Sequence, residues 1–227
     1  MTPLMFEYEL KLSKRRKSVA IKVTPERVIV LAPFKVCQNS LRQWLETKNN
    51  WVQSQQSKLQ QLPSKQDPLR TRKLLLFGQT YDVDYSNVQK VVVNHEKRSI
   101  CLPSTLETQQ VECRKTLITF LNSQLKEYLN TKLARFSTEM DCSISSVKVR
   151  EYKSRWGSCN SKQALTFNCL LAGAPTEMID YVIIHELAHC HVLAHNAQFW
   201  MLVEKQYGNY KSARKWFNQN GKQLMIE

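Results

Sequence analysis

The sequence predicts an α+β protein in two parts. Residues 1–104 form a basic, β-rich region, read as an antiparallel sheet with one helix. Residues 105–227 form a small domain built around a helix carrying His185-Glu186-Leu187-Ala188-His189. Three observations predict this. Before residue 104, apolar residues mostly alternate with polar ones in short segments divided by turn residues, as half-buried strands require. From about Leu106 the apolar period lengthens to that of a helix. Four of the five histidines then fall within residues 185–195, directly after the apolar run Met178-Ile179-Asp180-Tyr181-Val182-Ile183-Ile184.

In chain order, residues 6–12 and 19–23 alternate, and 28–31 is a short β-branched run ending near Pro33. The three are expected to form an antiparallel sheet, the first two strands joined around Lys14-Arg15-Arg16-Lys17. Ser40, with Gln43 three residues on, has the pattern of a capping box. Leu41, Trp44, Leu45, Trp51, Val52, Leu59 and Leu62 recur at helical spacing up to Pro63, which places both tryptophans on the core side. Pro63-Ser64-Lys65-Gln66-Asp67-Pro68 is the clearest linker. Residues 73–77, 79–85, 88–93 and 99–102 read as strands, and the turn at 94–98 leaves His95 on the surface. Val111, Leu117, Ile118, Leu121, Leu125, Leu129, Leu133 and Phe136 mark one long helix between 106 and 140. Residues 147–152 and 164–170 are strand-like and flank the turn Arg155-Trp156-Gly157-Ser158. The histidine helix starts near Pro175, whose fixed φ suits a first helical turn. Helices over 197–207 and 211–220 follow, with Gly221 as a C-terminal cap.

Composition narrows the setting. In 227 residues no apolar run approaches the roughly 18–20 needed to span a bilayer. The first seven residues lack a basic segment followed by an apolar one, so no secretory signal is expected. The cysteines number seven, with no C-x-x-C spacing; reduced thiols in a cytoplasmic protein account for this. Cys190, within the histidine run, reads as a small buried residue. Net charge is +14, and residues 1–73 hold 15 Lys/Arg against 5 Asp/Glu. Such a surface attracts polyanions: nucleotides, nucleic acid or acidic peptides. It also serves as a solvated face, and Lys14–Lys17 as charges that protect a strand edge. Nothing in the sequence fixes the oligomeric state.

The histidines carry the chemistry. Residues four apart share a helix face, so His185 and His189 can present two imidazole nitrogens to one ion. Glu186, offset around the helix, faces water held at that ion and is placed as a general base. A catalytic zinc takes three protein ligands and leaves one position open. His195 is the preferred third, which requires the chain to turn back near residues 193–196, with Asn196 in a left-handed conformation as one means. Glu204, on the next helix, is the alternative ligand, and His191 points away. Zn2+ is the default ion for three imidazoles, although other first-row metals fit similar donors.

The segment Ser154-Arg155-Trp156-Gly157-Ser158-Cys159 has two readings. Arg155 directs its guanidinium into the cleft, holding a substrate carboxylate or phosphate or stabilising an oxyanion, with Trp156 as a wall. Alternatively Arg155 pairs with a structural carboxylate such as Asp180, and Trp156 fills the core. Asn168 either binds substrate backbone or satisfies a turn.

On these residues the sequence resembles the YgjP-like metallopeptidase family, a zincin group similar to the SprT-like and WLM-type proteases. The match is carried by Lys153-Ser154-Arg155-Trp156-Gly157-Ser158-Cys159, Leu165-Thr166-Phe167-Asn168, Ala174-Pro175, Ile179 through His189, and His195-Asn196-Ala197-Gln198-Phe199-Trp200. It continues through Tyr210-Lys211-Ser212-Ala213-Arg214-Lys215-Trp216-Phe217 and reaches Ser13–Ser18 and the helix with Trp44 and Trp51. The resemblance implies a zincin-like C-terminal domain, zinc ligands at His185, His189 and His195, and a catalytic Glu186.

The function expected is zinc-dependent hydrolysis of a peptide or protein substrate. Two alternatives stand beside it. One is a metal-dependent nucleotide phosphohydrolase of the nucleoside triphosphate pyrophosphatase type, recruited by the basic region and Arg155. Many such sites use two metals and several carboxylates, and clustered carboxylates are scarce here. The other is a nucleic-acid-associated protease whose DNA binding weakens steeply with salt.

Overall fold

Val28, Ile29, Val30 and Ala32 are buried, whereas the segments on either side of them are more exposed. That difference sets the order of the first sheet. The computed structural model describes residues 3–24, 27–61 and 63–227; Met1, Thr2 and Leu62, on which parts of the sequence reading rest, lie outside them. β1 (Glu9–Ser13) and β2 (Ala20–Val23) flank β3 (Val28–Pro33). β2 pairs antiparallel with β3, but β1 pairs parallel with it. The expected fully antiparallel sheet is corrected accordingly. The most apolar strand takes the centre, where both backbone edges are paired, and the more polar strands become edges.

Two helices follow where one was expected. α1 (Gln38–Glu46) and α2 (Asn49–Gln60) are separated at Thr47 and Lys48, where the Thr47 hydroxyl donates to the Trp44 carbonyl at 2.7 Å. Cys37, not Ser40, precedes the first turn, and no side chain caps it. The interruption resets the helical period. Leu41 and Leu45 join Val30 in a small core against which Trp44 packs. On α2 it is Val52 that is buried, and Trp51 is left 46% exposed.

The chain divides into two compact units after Pro63, Met1–Pro63 and Ser64–Glu227. The expected boundary at 104/105 moves because the strands before it share a core with the helices after it. After the short α3 (Pro68–Thr71), β4 (Lys73–Leu76), β5 (Gln79–Ser86), β6 (Val92–Asn94) and β7 (Ser99–Pro103) form a sheet in the order β4-β5-β7-β6. Leu74, Leu76, Val83, Ile100 and Leu102 enter one cluster with Leu117, Leu121, Leu125 and Ile183. The β4–β5 turn has positive φ at Phe77 and Gly78, the geometry of a tight hairpin. Phe77 N and Gly78 N donate to Ala172 O and Gly173 O at 2.6 and 3.2 Å. A Cβ on Gly78 would lie 2.9 Å from Pro175 Cα, so this turn abuts the start of the histidine helix. The proposed linker is partly sheet: Gln66 bridges to Ile226, its backbone N donating to Met225 O at 2.8 Å.

α4 (Gln110–Glu139) buries Leu117, Leu121, Leu125, Leu129 and Leu133 along one stripe, the spacing that keeps residues on one helix face. A three-stranded sheet joins β8 (Ser146–Arg150), β9 (Gly157–Cys159) and β10 (Ala164–Asn168) in the order β8-β10-β9. β10 runs parallel to β8 and antiparallel to β9. α5 (Thr176–Ala188), α6 (Ala197–Tyr207) and α7 (Tyr210–Asn220) complete the unit. Gly221 follows α7 but has an ordinary right-handed φ of −58°. Its lack of a side chain matters for another reason, because a Cβ there would stand 3.1 Å from the Trp156 ring.

Candidate metal centre

α5 is apolar nearly all round: Ile179, Val182, Ile183, Ile184, Leu187 and Ala188 are buried. The exceptions face β9 and α6. His185 and His189, one turn apart, project together, and His189 is the residue that ends the helix. The chain then reverses without a left-handed residue. Cys190, His191 and Val192 donate backbone N–H groups to Leu187 and Ala188 carbonyls, and Asn196 N donates to Ala194 O at 2.8 Å. Asn196 is extended (φ −88°, ψ −176°), and its side chain caps α6 by accepting from Phe199 N at 3.0 Å. The left-handed Asn196 of the sequence reading is therefore corrected.

That reversal brings His195 back over the helix end. His189 Nε2 and His195 Nε2 are 3.1 Å apart, as are His195 Nε2 and His185 Nε2. Neighbouring ligands on a tetrahedral ion with bonds of roughly 2.0–2.1 Å stand about 3.3 Å apart, so the three nitrogens fit one metal ion. Among the described residues this trio is the one His/Cys/Asp/Glu group close enough to hold an ion. His189 Nδ1 lies 3.1 Å from Val192 O. A carbonyl only accepts, so the hydrogen sits on Nδ1 and Nε2 keeps its lone pair for a cation. His185 Nδ1 is buried with no partner among the described residues. Burial, then the neighbouring His189, His195 and Arg214, pushes the His185 pKa down to about 3. His189 is lowered too, mainly by burial. Both rings are held neutral, the form that ligates a metal.

Phe199, fully buried, underlies all three imidazoles, with ring centroids 4.9, 4.5 and 4.7 Å from those of His185, His189 and His195. Trp200 stacks on His195 at 5.6 Å and 22°. Glu204 is exposed and stands apart from the trio. His191 points elsewhere, its Nε2 2.8 Å from Met140 O and 3.2 Å from Cys142 Sγ.

Glu186 is buried, and burial pushes its pKa up to about 8 against the opposing pull of Arg155 and the Cys159 N–H. Its carboxyl lies against β9 in space that a side chain on Gly157 would claim. A Cβ on Gly157 would fall 2.5 Å from Glu186 Oε1 and 2.7 Å from its Cγ. Asn168 fixes this strand. Its side chain is fully buried, donates to Tyr152 O and Arg155 O at 3.1 and 3.0 Å, and accepts from Leu170 N. With its polar groups committed and no exposed surface, Asn168 satisfies the turn and presents nothing to the cleft.

The trio and Glu186 line a cavity of about 660 Å³, together with Arg155, Trp156, Tyr181 and Arg214. Asp180 accepts from Tyr128 Oη at 2.7 Å and pairs with Lys132, so Arg155 is not its partner. Trp156 packs on Phe217 at 5.3 Å while also lining the cavity. Sequence reading passed over Gly157, Tyr181 and Arg214. Arg214, Phe217 and Asn218 line the cavity at the i, i+3, i+4 spacing of one helix face, a signal present in the sequence but usable only once α7 is known to face α5.

Fold and site define a class: an α+β chain with His-Glu-x-x-His on an apolar helix and a third histidine returned to it by a tight reversal. A family model described as "YgjP-like, metallopeptidase domain" matches residues 17–220, and the chain belongs to that family. Among curated proteins none matches it. The crystal structure of the metallopeptidase zymogen of Pyrococcus abyssi abylysin aligns at 21% identity over 43% of this chain and 99% of its own, with a TM-score of 0.38.

Proposed function

We propose that this protein hydrolyses peptide bonds, with Zn2+ held by His185, His189 and His195 and with Glu186 as general base. The observation that carries the reading is the approach of three imidazole Nε2 atoms to a common point beside one buried carboxyl. When bound, a zinc ion supplies Lewis-acid activation of water and of the scissile carbonyl. Glu186 accepts a proton from the attacking water and later delivers it to the leaving amine. Burial raises the Glu186 pKa, and a divalent cation held by the three imidazoles would oppose that rise and favour the ionised, proton-accepting form. Gly157 lets that carboxyl approach, and Asn168 positions β9 and the loop before it. β10 is the central strand of its sheet, paired on both edges by β8 and β9, and it is β9 that lines the cavity. Strand addition by a peptide therefore falls to a free edge of β9 or β8.

Among the described residues Glu186 is the one carboxylate lining the cavity, and they offer no donor set for the two-metal chemistry of many phosphohydrolases. Seven unpaired cysteines favour a reducing, cytoplasmic setting. No helix among the described residues is long and apolar enough to cross a membrane. Metal analysis beside a peptide-cleavage assay tests the proposal. Wild type and Glu186→Gln should each hold one zinc per chain, and only wild type should turn over. Zinc retained after His185→Ala, or full turnover by Glu186→Gln, would refute it.

A further inference from the structure

Two guanidinium groups that form no ion pair among the described residues line the cleft. Arg155 sits on the loop anchored by Asn168, and Arg214 on α7. Six arginines among the described residues pair with carboxylates: Arg27 with Glu9, Arg42 with Glu46, Arg70 with Asp67, Arg72 with Glu107, Arg114 with Glu151 and Arg135 with Glu139. Among the described residues neither Arg155 nor Arg214 does so. Arg214 is held by an aromatic face instead, and Arg155 lies at longer range from a ring that Arg150 approaches at 4.3 Å. The Arg214 guanidinium lies 4.7 Å over Trp200, whose ring also stacks on His195, and Arg155 lies 5.6 Å from the Tyr152 ring. Stacking fixes a guanidinium plane yet leaves its N–H donors free. Both side chains line the same cavity as the three imidazoles and Glu186. Like charges in a concave site repel each other and focus a positive field, which an incoming anion relieves.

We infer that Arg155 and Arg214 select substrates bearing a carboxylate close to the scissile bond, either an Asp or Glu side chain or the peptide's own C-terminus. This rests on the cleft being the peptidase site proposed above. The guanidinium fork matches the two coplanar oxygens of a carboxylate, so each arginine can donate two parallel hydrogen bonds.

Binding to zinc-loaded Glu186→Gln protein, followed by calorimetry, tests this apart from turnover. The probes are peptides of one length: one with an internal Glu and an amidated end, one with Gln and a free C-terminus, one with Gln and an amidated end. Inorganic triphosphate is the fourth probe. At least one carboxylate peptide should bind about tenfold or more tightly than the neutral one, as charge-assisted hydrogen bonds do. Whichever of the two gains affinity identifies the source of the carboxylate. Adding Arg214→Met or Arg155→Met should remove most of that preference, Arg214→Lys should restore part of it, and Lys215→Met, on the same helix but outside the cavity, should leave it unchanged. Equal affinity for all three peptides overturns the inference even if wild type cleaves them. Tight triphosphate binding with no carboxylate preference overturns it in favour of a phosphate ligand. A carboxylate preference in binding with no cleavage of any peptide by wild type would instead sink the peptidase reading and leave carboxylate recognition in place. Should the arginine variants fail to fold, the comparison of peptides on the Glu186→Gln protein still decides.

Discussion

Gly157 shows how a residue with no functional group can govern a reactive one. The Glu186 carboxyl occupies the space where any other residue would place Cβ. Gly157→Ala is expected to displace the carboxyl by a sizeable fraction of an ångström. Turnover should then fall on the order of 100-fold, since small misplacements of a catalytic group cost that much, while zinc content stays at wild type. Peptide-cleavage kinetics beside metal analysis checks this, and undiminished turnover would remove Gly157 from the site. Phe199 acts in a similar indirect way. It supports all three imidazoles, so Phe199→Ala should cost about 3–5 kcal/mol of stability and weaken zinc binding, read by denaturant titration and by competition with a chelator. The phenylalanine was legible beside the histidines; its contact with every one of them was not, because α6 must first fold back on α5.

At the scale of elements, the reversal between α5 and α6 decides the third ligand. A continuous helix would carry His195 away from His185 and His189, because six residues do not return to one face at 3.6 per turn. The reversal is held by backbone bonds to the end of α5 and by the Asn196 cap on α6. Asn196→Ala should therefore lower stability by about 1 kcal/mol, the usual value of such a cap, and loosen zinc binding through His195. Asn196→Asp should preserve both. Unfolding curves and zinc affinities of the two variants make the comparison, and identical zinc affinity in the alanine variant would show that His195 is placed without the cap. The need for a turn was readable from the His189–His195 spacing; its conformation was not, since several backbone paths satisfy the same spacing.

For the whole molecule, a bound ion that prefers the folded state adds stability by mass action. Chelation should lower the melting temperature, and zinc should restore it more fully than magnesium, which prefers oxygen donors. Alkaline pH should destabilise the protein independently of metal. Burial pushes the Cys169 thiol from its ordinary value of 9.0 up to about 11. Above pH 9 the unfolded chain therefore loses a proton that the fold retains, and the stability tied to this thiol is lost as pH rises from about 9 through 11. Denaturant midpoints across that window should fall for wild type and fall less for Cys169→Ala; parallel curves would assign the loss to other groups.

Much of this was written in the chain: the apolar period of α4 and α5, the His-Glu-x-x-His spacing, the return of His195, the punctuation at Pro63. These are local patterns, fixed by the geometry of one helix turn or one strand pleat. Only the tertiary structure decided the parallel pairing of β1 with β3, the break between α1 and α2 that exposes Trp51, and the inclusion of residues 64–104 in the second unit. It alone brought Gly157 against Glu186 and set Arg214 in the same cleft as Arg155. Each of these depends on which buried surfaces meet across long stretches of chain, and that choice is made by packing a common core, where no spacing along the sequence records which partner wins.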